Sequence, residues 1–347
     1  MDARAILSES IVIDGHLDLL CDVLRKRRKG RRRVISDEYV PDWKAGCVDC
    51  VVSSLFCEPG GDYLAEALLQ IAALEEEFAE SSGEFFLAVC GADIRRAHAA
   101  GKTAIMLSFE GVEPLKGEAD LLRIFHKLGV RSVGLCWSRA NWAADGSRFD
   151  DADYVGHGLT EGGTRLMELM RELRMLTDVS HMNEKGFWQV IDVENSCAHD
   201  AAGRPVIASH SLCRALSDIT RNLDDRQIAA IANSGGVIGI NGISIIADAE
   251  NPASADMQTL VRHMKHIKSI TGAECLALGF DQCDRLEDGE DATGAPFSTG
   301  KRSFDIVRKY AQLPDFVDAL IGSGFTEEEI RGFLGANLLR AIEQVIG

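Results

Sequence analysis

Short apolar runs alternate along this chain with longer stretches whose apolar positions recur at helical spacing. About eight such runs are legible. They read SIVID ending at Asp14, CVVSSLF ending at Phe56, TAIMLSF ending at Phe109, VRSVGLC ending at Cys136, MLTDVS ending at Ser180, PVIAS ending at Ser209, GGVIGI ending at Ile240 and CLALGF ending at Phe280. Each is nearly continuous in Val, Ile, Leu and small residues, the composition of strands covered on both faces in a parallel sheet. Between them, Asp62 to Glu80 carries Leu64, Leu68, Ile71 and Leu74 on one stripe with acids opposite, which predicts a surface helix lying on a core. Helical spacing also predicts helices at Leu121–Leu128, Thr160–Leu173, Lys185–Glu194, Asp224–Asn233 and Met257–Ile270. After the last run come Phe304–Ile321, Thr326–Leu334 and a closing helix from Ala336. Strand then helix, repeated about eight times, predicts an α/β fold: a closed (β/α)8 TIM-type barrel with additional C-terminal helices. No linker splits the pattern, so residues 1–347 are expected to form one barrel domain.

In such a barrel the loops after the strands converge on one mouth, where the chemistry lies. His16 and Asp18, Glu110, His181, His210 and Asp281 each stand just past an apolar run. His98, His126, His157, His199 and His266 fall in helices or loops and are expected to be structural or solvated. Imidazole and carboxylate together suit zinc or a similar first-row divalent ion. Two adjacent ions need a ligand to bridge them, and Glu110 offers two oxygens for this, with His16 and Asp18 on one ion and His181 and His210 on the other. Asp281 is the remaining carboxylate at the mouth. Residues two apart share a face of a strand, so His16 and Asp18 are expected on one side.

The chain resembles the membrane (renal) dipeptidase family of zinc metallopeptidases, within the amidohydrolase superfamily. The resemblance runs nearly the whole length. It is carried by IDGHLD at Ile13 to Asp18, SFEG at Ser108 to Gly111, GLTEGGTRLMELM at Gly158 to Met170, DVSHMN at Asp178 to Asn183, PVIASHSLCRAL at Pro205 to Leu216, TRNLDD at Thr220 to Asp225, LALGFD at Leu276 to Asp281 and GANLLR at Gly335 to Arg340. It implies two Zn2+ per chain, with His16 and Asp18 on the first, Glu110 bridging, His181 and His210 on the second, and a hydroxide between the ions that attacks a peptide carbonyl. It also implies that Asp281 carries the proton to the leaving amine, that Arg221 grips the substrate carboxylate, and that a homodimer forms. The chemistry has its own sense: paired cations lower the pKa of water, polarise a carbonyl and offset charge in the tetrahedral intermediate. A nearby carboxylate then serves as base and acid, and a guanidinium fork matches a carboxylate.

The pattern departs from the family in places. Where animal members have LTH, this chain has LCW, so Trp137 replaces a histidine expected to touch the scissile carbonyl; Trp cannot titrate, and an apolar wall is expected instead. Asn141 follows four residues on, as a candidate substrate-binding group. GSDFDG becomes GFDQCD, keeping Asp281 but placing Cys283 where a second acid stands. Asn183 and Asp178 are candidates to orient His181. His263, within VRHMKHIKSI, is expected to pack.

A net charge of −17 argues against nucleic-acid binding, although RKRRKGRRR from Arg25 to Arg33 is basic. That run is expected to be a solvated loop; a rival expectation has it near the mouth, attracting acidic substrates. The ten cysteines are irregularly spaced, with one CxxC at Cys47 and Cys50, and read as reduced structural thiols. No leader pattern, membrane-length run or apolar tail is visible, so no membrane association and a cytoplasmic location are expected. These features converge on a binuclear zinc dipeptidase acting on small dipeptides, L-Xaa-D-Xaa as well as L,L. The alternatives are an amidohydrolase for a nonpeptide amide such as an N-acyl amino acid, and a non-catalytic metal-binding protein.

Overall fold

Nine parallel strands organise the computed structural model, which describes residues 1–148, 154, 156–196, 204–286 and 303–347. They are β1 (Ile13–Leu17), β2 (Cys50–Leu55), β3 (Phe85–Ala88), β4 (Thr103–Glu110), β5 (Val130–Gly134), β6 (Leu176–Asp178), β7 (Val206–Ser211), β8 (Ile238–Ile240) and β9 (Leu276–Leu278). Pairing runs β2-β1-β9-β8-β7-β6-β5-β4, and β2 returns to β4 to close an eight-strand (β/α)8 barrel. Seven of the apolar runs lie on barrel strands with small shifts of boundary. The first is displaced further: β1 begins at Ile13, because a helix at Ala3–Glu9 ends at Ser10.

The ninth strand, β3, falls in no predicted run. β4 pairs with β5 only through Leu107 to Glu110, leaving its first half open on that side. There β3 attaches, Phe85 to Thr103 through Ala88 to Met106. At the barrel's centre space is scarce. A methyl group on Gly239 or Gly279 would overlap the carbonyl oxygen of Ser209, so only glycine fits where these strands crowd β7.

The predicted helices at 63–80, 122–127, 161–172, 184–196, 225–233 and 257–271 are present. Asp62, Thr160, Asp224 and Asp256 cap their N-termini by accepting backbone N–H groups. The first helix buries Ile71 and Leu74 of the expected stripe, with Leu64 partly buried, and departs from it at Leu68. Leu68 is exposed, while Gln70 and Glu77 are buried, Gln70 against the Phe56 carbonyl and Glu77 accepting from Ile35 N at 2.9 Å. The helix expected over Phe304–Ile321 starts only at Leu313, with Pro314 in its first turn. A proline lacks the N–H and clashes with the carbonyl four residues back, so the helix cannot extend upstream through it. Two further helices, Glu327–Arg331 and Asn337–Val345, complete the C-terminal addition.

The basic run is helical over its first half, not a loop, and is exposed as expected from Arg28 to Arg32 but not at Lys26 and Arg27. Leu19–Arg28 is a helix that ends in Arg25, Lys26, Arg27 and Arg28, cations suited to the negative end of its dipole. Lys26 and Arg27 are buried. Lys26 pairs with Asp22 and Glu38, Arg27 with Glu76, Glu77 and Glu80, Arg28 with Glu66, and Arg31 with Glu38. These acids take up the charge that the rival expectation assigned to substrate.

Candidate metal centre

The C-terminal ends of β1, β4, β6, β7 and β9 bring six side chains to one place. His16 lies inside β1 and Asp18 one residue beyond it; Glu110 closes β4; His210 lies in β7; His181 and Asp281 follow β6 and β9 by three residues each. His181 (φ 66°) and Asp281 (φ 55°) have left-handed backbones, unusual for residues with a Cβ. Such strain is held only where the surroundings fix it, and here it turns both side chains inward at strand ends.

Glu110 is the hinge of the arrangement. Its Oε1 is 3.0 Å from His181 Nε2 and 3.6 Å from His210 Nε2, while its Oε2 is 3.5 Å from His16 Nε2. His16 Nε2 is in turn 3.8 Å from Asp18 Oδ1 and 3.8 Å from Asp281 Oδ1. One carboxylate therefore faces two donor sets, His16, Asp18 and Asp281 on one side and His181 and His210 on the other. All six side chains are largely buried.

The donor chemistry fits divalent cations. His16 Nε2 and Glu110 Oε2 are buried with no hydrogen-bond partner among the described residues. Unmet polar atoms of this kind are costly unless an ion meets them. The Nε2 atoms of His181 and His210 face each other at 2.8 Å. Ser209 Oγ donates to Asp178 Oδ2, which spends its only proton, so it accepts from His210 Nδ1–H at 2.7 Å. That fixes the tautomer and leaves the Nε2 lone pair aimed into the centre. Ser138 Oγ stands 2.8 Å from His181 Nδ1. Ser54 donates to Asp18, and Asn241 Nδ2 donates to Asp281 Oδ2 at 3.0 Å.

Burial dominates the electrostatics. It pushes Asp18, Glu110 and Asp281 each up to about 7, and it holds His181 and His210 well below the usual imidazole value, with Arg221 and His16 adding to the effect. Burial thus raises the cost of ionising these three acids and of protonating His181 and His210. A divalent cation reverses the balance for the acids, so binding is coupled to proton release.

Around this centre, Arg221 is buried, Nη2 donating to the His210 carbonyl at 2.7 Å and Nη1 to Ser211 Oγ at 2.9 Å. The Trp137 ring is half-buried beside His181, 5.9 Å between centroids. Asn141 is turned away from a substrate role: its Oδ1 accepts from Ala143 N and Ala144 N, and its Nδ2 donates to the Leu135 carbonyl, so its amide shapes the loop. The partners of His181 are also corrected. Asp178 acts on His210 through Ser209, Asn183 Oδ1 accepts from Gly186 N, and Ser138 is the group beside His181. His263 packs as expected, its Nδ1 accepting from Cys213 N and its Nε2 donating to the Ala247 carbonyl. His98, His157 and His266 pair with Asp49, Asp145 and Asp225, away from the centre, and His199 lies outside the described residues. Ser138, Ser209, Asn241 and Arg139 were missed; nothing in a lone hydroxyl, amide or guanidinium signals such a role in sequence.

Comparison with known proteins gives one consistent result. The family model described as membrane dipeptidase (peptidase family M19) matches residues 1–346. An uncharacterized protein in the pqqA 5' region of Klebsiella pneumoniae is 34% identical, over 82% of this chain and 98% of that one. Human dipeptidase 3 is 26% identical, over 99% of this chain and 67% of its own length. Among solved structures, dipeptidase AC, a metallo peptidase of family M19, superposes with a TM-score of 0.81 at 27% identity, covering 98% of this chain and all of that one (100%). A metallo peptidase from Rhodobacter sphaeroides, liganded with a phosphinate mimic of the dipeptide L-Ala-D-Ala, gives 0.81 at 26% identity, over 97% of this chain and 100% of its own.

Proposed function

Because the chain belongs to the membrane dipeptidase family of metallopeptidases, hydrolases of peptide bonds, we propose that it cleaves small dipeptides at a pair of zinc ions, L,D as well as L,L. The observation that carries this reading is the double-faced Glu110, whose two oxygens address separate donor sets. His16 and Asp18 would hold one ion, His181 and His210 the other, and Glu110 both. Bound there, two zinc ions supply an activated water and polarise the scissile carbonyl.

The remaining steps belong to the chain's own groups. Arg221 uses two donors on His210 and Ser211 and has the rest of its fork for the substrate carboxylate. Asp281, held at Oδ2 by Asn241, takes the proton released by the attacking water and delivers it to the leaving amine. Trp137 closes the wall beside His181 and keeps bulk water from it. The L-Ala-D-Ala mimic in the Rhodobacter sphaeroides protein supports a D residue at the carboxy-terminal position here. The nine free cysteines among the described residues support the reducing, cytoplasmic setting we propose.

Metal analysis of purified protein, coupled to a panel of L,L dipeptides, L,D dipeptides and N-acyl amino acids, tests the proposal. Two zinc ions per chain and turnover of dipeptides are expected. One ion per chain, preference for the N-acyl arm, or two ions with no turnover would each overturn it.

A further inference from the structure

Two residues past Trp137, Arg139 is built into the mouth with one donor left over. Its Nε donates to Glu113 Oε1 at 2.6 Å and its Nη2 to the Cys57 carbonyl at 2.9 Å, which ties together the loops after β2, β4 and β5. Three aromatic rings surround the guanidinium: Trp137, Phe56 and Tyr63, with centroids 5.2, 5.6 and 5.8 Å from Cζ. Its Nη1 is buried and has no partner among the described residues. Leaving a charged donor unpaired in this way is expensive, so its retention needs an acceptor from outside the chain.

The place of Arg139 says where that acceptor comes from. The Trp137 ring, 5.2 Å from its Cζ, is itself 5.9 Å from the His181 ring, which puts the guanidinium one aromatic side chain from the metal centre. Arg221 reaches the centre from the loop after β7, where it donates to the His210 carbonyl. The two guanidinium groups thus approach the centre from different arcs of the barrel, β2, β4 and β5 for one and β7 for the other. A dipeptide held at its carboxylate by Arg221, with its peptide bond at the centre, has its amino-terminal residue left for the arc of Arg139.

We propose that Arg139 is a specificity-determining residue whose Nη1 donates to a side-chain oxygen of the substrate's amino-terminal residue, favouring dipeptides that begin with Glu or Gln. The inference rests on the dipeptidase reading and on Arg221 as the carboxylate anchor. Glu113 offsets much of the guanidinium charge, so the subsite selects an acceptor oxygen more than a negative charge, and Gln serves with Glu. Trp137 and Phe56, 5.4 Å apart, form the apolar sleeve around the methylene groups of such a side chain.

The test uses the zinc-loaded enzyme and three dipeptides that share one carboxy-terminal residue and begin with Glu, Gln or Met, side chains of similar length. Wild type should favour Glu and Gln over Met in kcat/KM. In Arg139→Met that preference should fall by about tenfold or more, the scale of one hydrogen bond to a charged donor. Arg139→Lys, which keeps the charge without the fork, should lose it too and serves if the first variant fails to fold. An unchanged Glu-to-Met ratio in the variants overturns the subsite while leaving the dipeptidase reading intact. Failure of wild type to cleave any of the three overturns both.

Discussion

Removing the Ser209 hydroxyl should loosen one metal position and spare the other. The hydroxyl donates to Asp178 and accepts from His210 Nδ1–H at 2.7 Å, with His210 only 1% exposed. In Ser209→Ala the imidazole N–H faces a methyl group in place of the hydroxyl, and an unpaired buried donor costs about 1–3 kcal/mol. The ring escapes that penalty by moving its proton to Nε2, the atom that must stay bare to bind a cation. Either way the ligand weakens, by about 10–100-fold in affinity as for other outer partners of metal-binding histidines, or roughly 1.4–2.8 kcal/mol, which agrees with the first figure. The loss should fall on the His181 and His210 position alone, because Ser54, not Ser209, supports Asp18 at the other. Titration of zinc-free protein against a competing chelator, with two binding constants resolved, measures this. Equal weakening of both constants, or none, would refute the relay from Asp178 through Ser209.

Other substitutions probe separate parts of the argument. Glu110→Gln, which keeps the shape but replaces one ligating oxygen with an NH2 group, should lower kcat by about 100-fold or more and reduce bound zinc below two ions per chain, by metal analysis. His263, held down at about 4 by burial against a usual 6.5, stays neutral when folded while the unfolded chain takes up a proton. Its contribution to stability is therefore complete above pH 6.5 and is lost as pH falls toward 4. Comparison of wild type with His263→Phe by urea unfolding at pH 7.5 and pH 5 should show wild type losing about 2 kcal/mol more than the variant; a constant difference contradicts this. Gly279→Ala should destabilise the barrel by about 1–3 kcal/mol in the same assay, since the methyl must displace the Ser209 carbonyl or its strand. Arg31→Gln with Arg32→Gln should alter KM equally for acidic and neutral dipeptides, since both cations sit over Glu38 and Glu80; a selective rise for acidic substrates would restore the steering role.

The barrel strands were legible because both faces are covered, and a strand covered twice must be apolar throughout. β3 was not, since its two middle residues, Phe86 and Leu87, are only partly buried and it pairs with half of one neighbour. The helix Leu19–Arg28 was missed for a different reason. Arg27 and Arg28 read as solvated because their partners, Glu66, Glu76, Glu77 and Glu80, lie far along the chain. The stripe on Tyr63–Glu80 held at Ile71 and Leu74 and missed at Leu68, which is exposed, while Glu77 among the acids is buried against Arg27.

The centre shows the same division more sharply. Imidazole and carboxylate are ready donors for a zinc-like cation, so the candidates His16, Asp18, Glu110, His181, His210 and Asp281 are picked out by type and by strand-end position. Their supports carry no such mark. Ser138 and Ser209 become partners of histidines only because the backbone sets them within 2.8 and 2.7 Å, and the left-handed turns at His181 and Asp281 that aim the ligands inward have no glycine to signal them. Asn141 is the converse case, a residue picked out by its spacing that the loop itself consumes, leaving Arg139, two positions earlier, as the group with a donor to spare. The candidate chemistry of the centre is thus legible in residue identity, while the unpaired donor proposed to set selectivity emerges only in the folded chain.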